Sequence, residues 1–298
     1  MDANTYKCHF CPVCDGRGCI AELPGMGGVY DNANFCDNCD GWKLPALQEA
    51  AQAAAGEHET RTVKIRLAPM TGGVENAGYA DEERFYYDLI SAAHDAGFLL
   101  SIGDGTPDIK LKTGIQAVQQ LAGARAAVFV KPYPDSTVIE RFEWARPAAS
   151  HLGIDIDSYN IVTMRNLARL ERKTAAQLKA LRSRCRDVPF IIKGVFTEAD
   201  MELMSQVLPD VIVVSNHGGR VENGRGSTAA YLARHYAQLA GCCGELWVDG
   251  GLRSSADIHT AACFGVSQVM IGRPVITALC RGGVHEVRAL YDTLSQKA

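Results

Sequence analysis

Several polar side chains stand where short apolar runs end, and their types suit proton and anion chemistry. VIVVS leads into Ser215-Asn216-His217-Gly218-Gly219-Arg220. A histidine exchanges a proton near neutral pH, and an arginine forks onto a carboxylate with two parallel hydrogen bonds. A base and a clamp three residues apart suit a small 2-hydroxy acid, one for the hydroxyl and one for the carboxylate. Lys193 closes PFIIK, where it could hold charge on a ring or form a Schiff base. Asp157 closes IDI. A lone histidine is more often a packing residue, and the seven other histidines take that reading.

Two later runs end in loops that read as a phosphate site. LWV passes into Asp249-Gly250-Gly251-Leu252-Arg253, and VMI into Gly272-Arg273-Pro274. Glycines let backbone N–H groups approach an anion, and a helix N-terminus adds a favourable dipole. Arg253 and Arg273 add charge-assisted donors.

The elements that must position these residues alternate regularly from about residue 62. The runs VKIRLA, FLLS, AAVFV, IDI, PFIIK, VIVVS, ELWV and SQVMI read as strands buried on both faces. Segments of helical period lie between most of them, such as ERFYYDLISAAHDAG, TVIERFEWARPAASHLG and TAAYLARHYAQLAG. Such alternation predicts a parallel sheet. Eight runs predict an α/β fold of the closed (β/α)8 TIM-barrel type, with active-site residues at the carboxyl ends of the strands. Hydrophobic residues make up 47% of the 298, enough for the core of one such barrel. The formal net charge of −4 gives no basic excess, so nucleic acid is not an expected partner. No apolar run reaches the roughly 18 residues of a membrane span, and MDANTYKCHF lacks the apolar stretch of a signal peptide. The expected location is cytoplasmic. A homo-oligomer is allowed by the sequence and not specified by it.

The segments PFIIKGV, VIVVSNHGGR, WVDGGLRSSADI and QVMIGRP, in this order and spacing, resemble the FMN-dependent 2-hydroxy-acid oxidase and dehydrogenase family, which includes glycolate and lactate oxidases. The resemblance covers roughly residues 62 to 282. It implies an FMN enzyme that oxidises a small (S)-2-hydroxy acid to the 2-oxo acid. His217 would remove the substrate proton, Arg220 would hold the carboxylate, and Asp157 would orient His217. Lys193 would stabilise negative charge on the reduced ring, and Ser215 would contact the ring system. Asp249, Gly250, Gly251, Arg253, Gly272 and Arg273 would hold the ribityl phosphate. Pro69, Met70, Thr71 and Ser101 would face the ring. The electron acceptor stays open between oxygen, a quinone, a carrier protein and an attached cluster.

The chain departs from the family pattern at several places. The N-terminal tyrosine that helps grip the carboxylate has no clear counterpart. Where the family commonly has glutamine and then tyrosine, this chain has Val130-Lys131-Pro132-Tyr133, which makes Tyr133 the candidate substrate contact. Asp155 stands where a threonine usually meets the flavin, with Lys131 as its expected neutralising partner. Arg165 is a candidate second carboxylate contact. Two other readings stay open. One is a different FMN barrel, similar to isopentenyl diphosphate isomerase, which would not need the His217–Arg220 pair. The other is a catalytically silent flavin or metal electron-transfer module.

Residues 1–45 read as a cysteine-rich arm without helical or strand period, followed by the barrel over 46–298. Cys8, Cys11, Cys14, Cys19, Cys36 and Cys39 lie in the arm. In a reducing compartment such a cluster argues for metal. The first four resemble an iron–sulfur ligand run, whereas CPVCDGRG with Cys36-Asp37-Asn38-Cys39 is similar to a zinc repeat. Iron–sulfur, zinc and free thiols all remain open. The remaining cysteines, including Cys242-Cys243, read as small packing residues.

Overall fold

All eight β-rich runs become strands. They are β1 (Lys64–Leu67), β2 (Leu100–Gly103), β3 (Ala126–Val130), β4 (Ala149–Asp155), β5 (Phe190–Val195), β6 (Val211–Val214), β7 (Glu245–Asp249) and β8 (Gln268–Ile271). The computed structural model describes residues 33–55, 62–77, 79–161, 167–221 and 224–296. The strands are hydrogen-bonded in the order β1-β8-β7-β6-β5-β4-β3-β2, every pair parallel. Backbone bonds from Leu67 N–H to Leu99 O (2.8 Å) and from Leu99 N–H to Ile65 O (3.0 Å) join the two ends of the sheet. The result is a (β/α)8 barrel.

Strand side chains alternate between the two faces. Ala127, Phe129, Ile191, Val211, Val213, Trp247 and Met270 form one buried cluster that fills the barrel. Their neighbours Val128, Ile192, Ile212, Val214, Val248 and Ile271 belong to the second cluster, between sheet and helices. Burial on both faces is why these strands are continuously apolar. At the amino-terminal end a polar plug replaces the apolar filling. The Arg66 guanidinium donates to Gln268 Oε1 (2.9 Å) and lies 4.6 Å from the centre of the Trp247 ring.

The helices are α1 (Ala33–Gly41), α2 (Pro45–Ala55), α3 (Gly73–Ala77), α4 (Glu82–Ala96), α5 (Ile109–Gln119), α6 (Asp135–Ala145), α7 (Ala175–Arg182), α8 (Glu198–Val207), α9 (Thr228–Ala240), α10 (Ser255–Cys263) and α11 (Arg273–Leu294). Thr174, Thr197 and Ser254 start α7, α8 and α10 with reciprocal side-chain caps, each a device of about 1 kcal/mol. Among the described residues no helix is long and apolar enough to cross a membrane.

Two local expectations differ from the structure. The helix read through TVIERFEWARPAASHLG stops at Ala145, and β4 already begins at Ala149. Pro147 explains the stop, because it has no N–H for a helical bond and its ring clashes with the preceding turn. The second difference is α1, which forms inside the stretch read as having no helical period. Its buried positions Phe35, Asn38, Cys39 and the following Trp42 recur at helical spacing. One of these is an asparagine and one a cysteine, so the apolar stripe is faint in the sequence.

Candidate active site

The carboxyl ends of the strands surround a cleft that opens to solvent. Eight of the loops expected to carry chemistry or cofactor contacts converge there or beside it. Ala68, Pro69, Met70 and Thr71 follow β1; Gly103 ends β2 and Asp104 follows it; Lys131 follows β3; Asp155 and Lys193 lie on β4 and β5. His217 and Arg220 follow β6, Asp249 to Arg253 follow β7, and Gly272 to Pro274 follow β8.

His217 is held by charge on one side of its ring. Its Nδ1 lies 3.1 Å from Asp157 Oδ1 and 3.3 Å from Asp155 Oδ2. Nε2 carries no hydrogen bond to a described residue, and the residue lines the cleft. Burial opposes a charged imidazole, yet the two carboxylates outweigh it and raise the His217 pKa above its ordinary value. Asp155 stays ionised: although burial pushes upward, Lys193 and His217 hold it well below the usual carboxylate range. Asp157 moves the other way, to about 6, because it is buried beside the Asp155 charge. The His217 backbone has φ 58, a strained conformation for a residue with a Cβ. Asn216 fixes it from behind, accepting from Gly219 N–H (3.0 Å), while Ser215 Oγ accepts from His217 N–H (3.2 Å).

Lys193 does not stand free. Its ammonium sits 3.1 Å from Asp155 Oδ1 and 3.5 Å from Asp249 Oδ2. This corrects the expected pairing of Asp155 with Lys131. The β4–β5 register places Asp155 directly beside Lys193, so the neighbouring strand supplies the cation. Lys131 is buried and feels Asp155, Asp104 and Asp157 electrostatically, but makes no contact ion pair with a described residue. Burial is the largest influence and pulls its pKa down.

The loops after β7 and β8 differ in how they could meet an anion. The two amides that lead into α10 are already used: Asp257 Oδ2 accepts from Arg253 N–H (2.7 Å) and Ser254 N–H (2.9 Å). The start of α11 has no side-chain cap, and Pro274 stands in its first turn. Val275 N–H already bonds to Gly272 O (2.9 Å) and Pro274 has no N–H, so an anion at this helix start would meet chiefly the guanidinium groups of Arg253 and Arg273, both lining the cleft. Arg273 also stacks 4.5 Å over the Phe35 ring of α1.

Helix α1 braces these loops. Asn38 and Asn216 exchange amide hydrogen bonds (2.8 and 3.1 Å), and Asn38 Oδ1 also accepts from Thr228 N–H (3.0 Å). Trp42 Nε1 donates to Gly250 O (2.8 Å). A Cβ on Gly251 would lie 1.9 Å from Asn38 O, and Gly251 has φ 82. The DGG glycines are thus required by the approach of α1 as well as by any ligand.

Several expected residues stand back from the cleft. Asp157 and Ser215 support His217 as described, without lining the space. Ser101 is buried on β2, its hydroxyl without a partner among the described residues. Tyr133, the candidate substrate contact, packs 4.4 Å from the Arg141 guanidinium and outside the lining residues. Arg141 is itself bound to Asp104 (2.6 Å) and to Asp108, and this ion cluster draws the ring toward α6. Asp104 was not anticipated. The FLLS run stops at Ser101 in sequence, whereas β2 continues to Gly103 and makes Asp104 its strand-end residue. Burial raises the Asp104 carboxyl to about 6. Phe129, an interior residue of β3, was also missed. Cys36 and Cys39 lie on α1, the first exposed and the second buried, and neither forms a disulfide with a described residue. Cys8, Cys11, Cys14, Cys19 and Arg165 lie outside the described residues.

The family model of the FMN-dependent dehydrogenases matches residues 122–298. Among curated proteins, 4-hydroxymandelate oxidase of Amycolatopsis orientalis is 38% identical over 111 residues, covering 37% of this chain and 31% of that protein. 2-Hydroxyacid oxidase 2 of Bos taurus is 34% identical over 110 residues, covering 37% and 31%. L-lactate oxidase of Roseobacter sp. is 36% identical over 111 residues, covering 36% and 30%. The match therefore spans about a third of the length of these relatives. A crystal structure of mandelate oxidase with benzoyl-formic acid superposes with a TM-score of 0.67, covering 91% of this chain and 84% of the other at 22% identity, and shows the same fold.

Proposed function

Because the chain belongs to the FMN-dependent dehydrogenase family, we propose that the cleft holds FMN and that the protein oxidises a small (S)-2-hydroxy acid to the 2-oxo acid. The observation that carries this reading is the imidazole of His217, backed at Nδ1 by two carboxylates with Nε2 left for the cleft. FMN would supply the two-electron acceptor for the substrate's α-carbon. The residues present fit it: Ala68, Pro69, Met70 and Phe129 offer an apolar wall, and Arg253 and Arg273 flank the uncapped start of α11.

In this reading His217 Nε2 takes the proton released as the hydroxy acid becomes an oxo acid. Asp157 and Asp155 stabilise the imidazolium that results. Arg220, lining the same cleft three residues on, forks onto the substrate carboxylate. Lys193 keeps Asp155 ionised and in place. The relatives named for 4-hydroxymandelate and lactate support a 2-hydroxy acid as the substrate class.

Anaerobic titration with lactate, glycolate, mandelate and longer 2-hydroxy acids, following the flavin spectrum, tests this. At least one acid should bleach the flavin of the wild type. His217→Ala should retain FMN and slow bleaching by about 10²–10⁴, the usual worth of a general base. A variant that is reduced at the wild-type rate removes His217 from the role.

A further inference from the structure

Asp155 ends β4 almost wholly buried, and its two oxygens face different groups. Oδ1 lies 3.1 Å from Lys193 Nζ on β5, and Oδ2 lies 3.3 Å from His217 Nδ1 in the loop after β6. The second contact adds nothing to orientation. An imidazole has one N–H to give from Nδ1, and Asp157 Oδ1 is the nearer acceptor at 3.1 Å. What a second carboxylate adds is negative potential, which favours the ring when it is charged. The first contact acts toward the cleft, which Lys193 and Asp155 both line. Charges add, so an anion in the cleft meets the attraction of the Lys193 ammonium reduced, and not removed, by the carboxylate beside it.

The other charges in reach are Lys131 after β3, Asp157 two residues beyond Asp155, Asp249 of β7 at 3.5 Å from Lys193, and Arg220 on the His217 loop. Burial pushes the Asp155 carboxyl toward its neutral form, but Lys193, His217 and Lys131 outweigh it and keep Asp155 ionised.

We propose that Asp155 is a positioning residue shared by the two halves of the reaction: it holds the substrate's proton on His217 and, by opposing Lys193, limits how strongly the cleft favours reduced FMN. The inference rests on the FMN reading above and leaves Lys193 as the cation that stabilises the negative charge. When a hydroxy acid becomes an oxo acid, one proton goes to His217 Nε2, and two electrons with the second hydrogen go to FMN. The cleft then carries one new positive and one new negative charge. Asp155 favours the first and disfavours the second, so one side chain sets both.

Two measurements read these effects without turnover. The first is NMR titration of the histidine rings, with and without FMN, the His217 signal being assigned by its loss in His217→Ala. The second is the midpoint potential of bound FMN, taken anaerobically by dye equilibration at a pH above the His217 midpoint. Asp155→Asn keeps the shape and loses the charge. Its His217 midpoint should fall by about one pH unit. Its preference for reduced over oxidised FMN should rise about ten-fold, a gain of about 30 mV for a two-electron couple. Asp155→Thr, uncharged and of different shape, should move both readings in the same directions, which a merely structural role would not do. An unmoved His217 midpoint, or a potential that falls or stays within about two-fold of wild type, overturns the inference while the FMN reading stands. Wild-type protein that takes up no FMN overturns both. Thermal melting identifies misfolding; should Asp155→Asn not fold, Asp155→Thr gives the same comparison.

Discussion

At the scale of single residues, the pairing of His217 with two aspartates has a consequence for pH dependence. A base works only when deprotonated, so kcat/KM should rise with pH through a midpoint above the ordinary histidine value. Asp157→Asn removes one of the two charges that raise His217, and the acid limb should move to lower pH. The rate should fall by about 10–100-fold, less than the roughly 10⁴ seen when a catalytic histidine loses its sole carboxylate, because Asp155 remains at 3.3 Å. An acid limb that stays where it was would show that Asp157 does not act through His217. Asp157 and His217 were both legible from their places at strand ends. Asp155 was read as standing where a threonine meets the flavin, neutralised by Lys131; the structure makes it the link between Lys193 and His217.

At the scale of elements, α1 joins the loop carrying His217 to the loop carrying the DGG glycines. The Asn38–Asn216 amide pair is almost wholly buried, at 2% and 0% exposure. Buried amides of this kind are stabilising when both are satisfied and costly when one is removed. Gly251→Ala should therefore push α1 away from the mouth of the barrel. Its Cβ would overlap Asn38 O, and its φ of 82 adds backbone strain. The expected result is a loss of about 1–3 kcal/mol in stability, together with FMN affinity reduced at least ten-fold. Urea unfolding and flavin-fluorescence titration measure the two effects. Full retention of both would mean that α1 is not a working part of the site. The eight strands were legible because each is a compact apolar run. Helix α1 was not, since its buried face is built from one aromatic pair with an asparagine and a cysteine between.

At the scale of the whole molecule, the polar floor of the barrel sets an acid limit on stability. His151 lies against Trp247, with ring centres 5.1 Å apart, and burial with the nearby Arg66 charge lowers its pKa to about 4. The unfolded chain would take up a proton near pH 6.5 that the native barrel refuses until about pH 4. The unfolded state therefore binds more protons in that window, and stability falls as pH drops through it. Asp104 and Asp157, raised to about 6, act in the opposite direction, so the histidine contribution must be isolated by difference. Wild type and His151→Gln should differ more in favour of wild type at pH 7 than at pH 4.5 in urea titrations. An unchanged difference would mean that His151 is not held neutral.

The order of eight apolar runs, with glycine, arginine and histidine at their ends, was enough by itself to specify a barrel and to mark one rim of it. Strand periodicity and end position are local properties, and each survives in the sequence as a short pattern. Which side chain meets which across that rim is not local. The Asp155–Lys193 pair is set by the register of two strands 38 residues apart in the chain. The withdrawal of Tyr133 depends on an ion cluster that gathers Asp104 from the end of β2 and Arg141 from α6. Helix α1 finds its place by closing on glycines more than 200 residues away. Contacts of that kind come from the closure of the barrel, which brings strand ends together from all parts of the chain, and only the tertiary structure decides them.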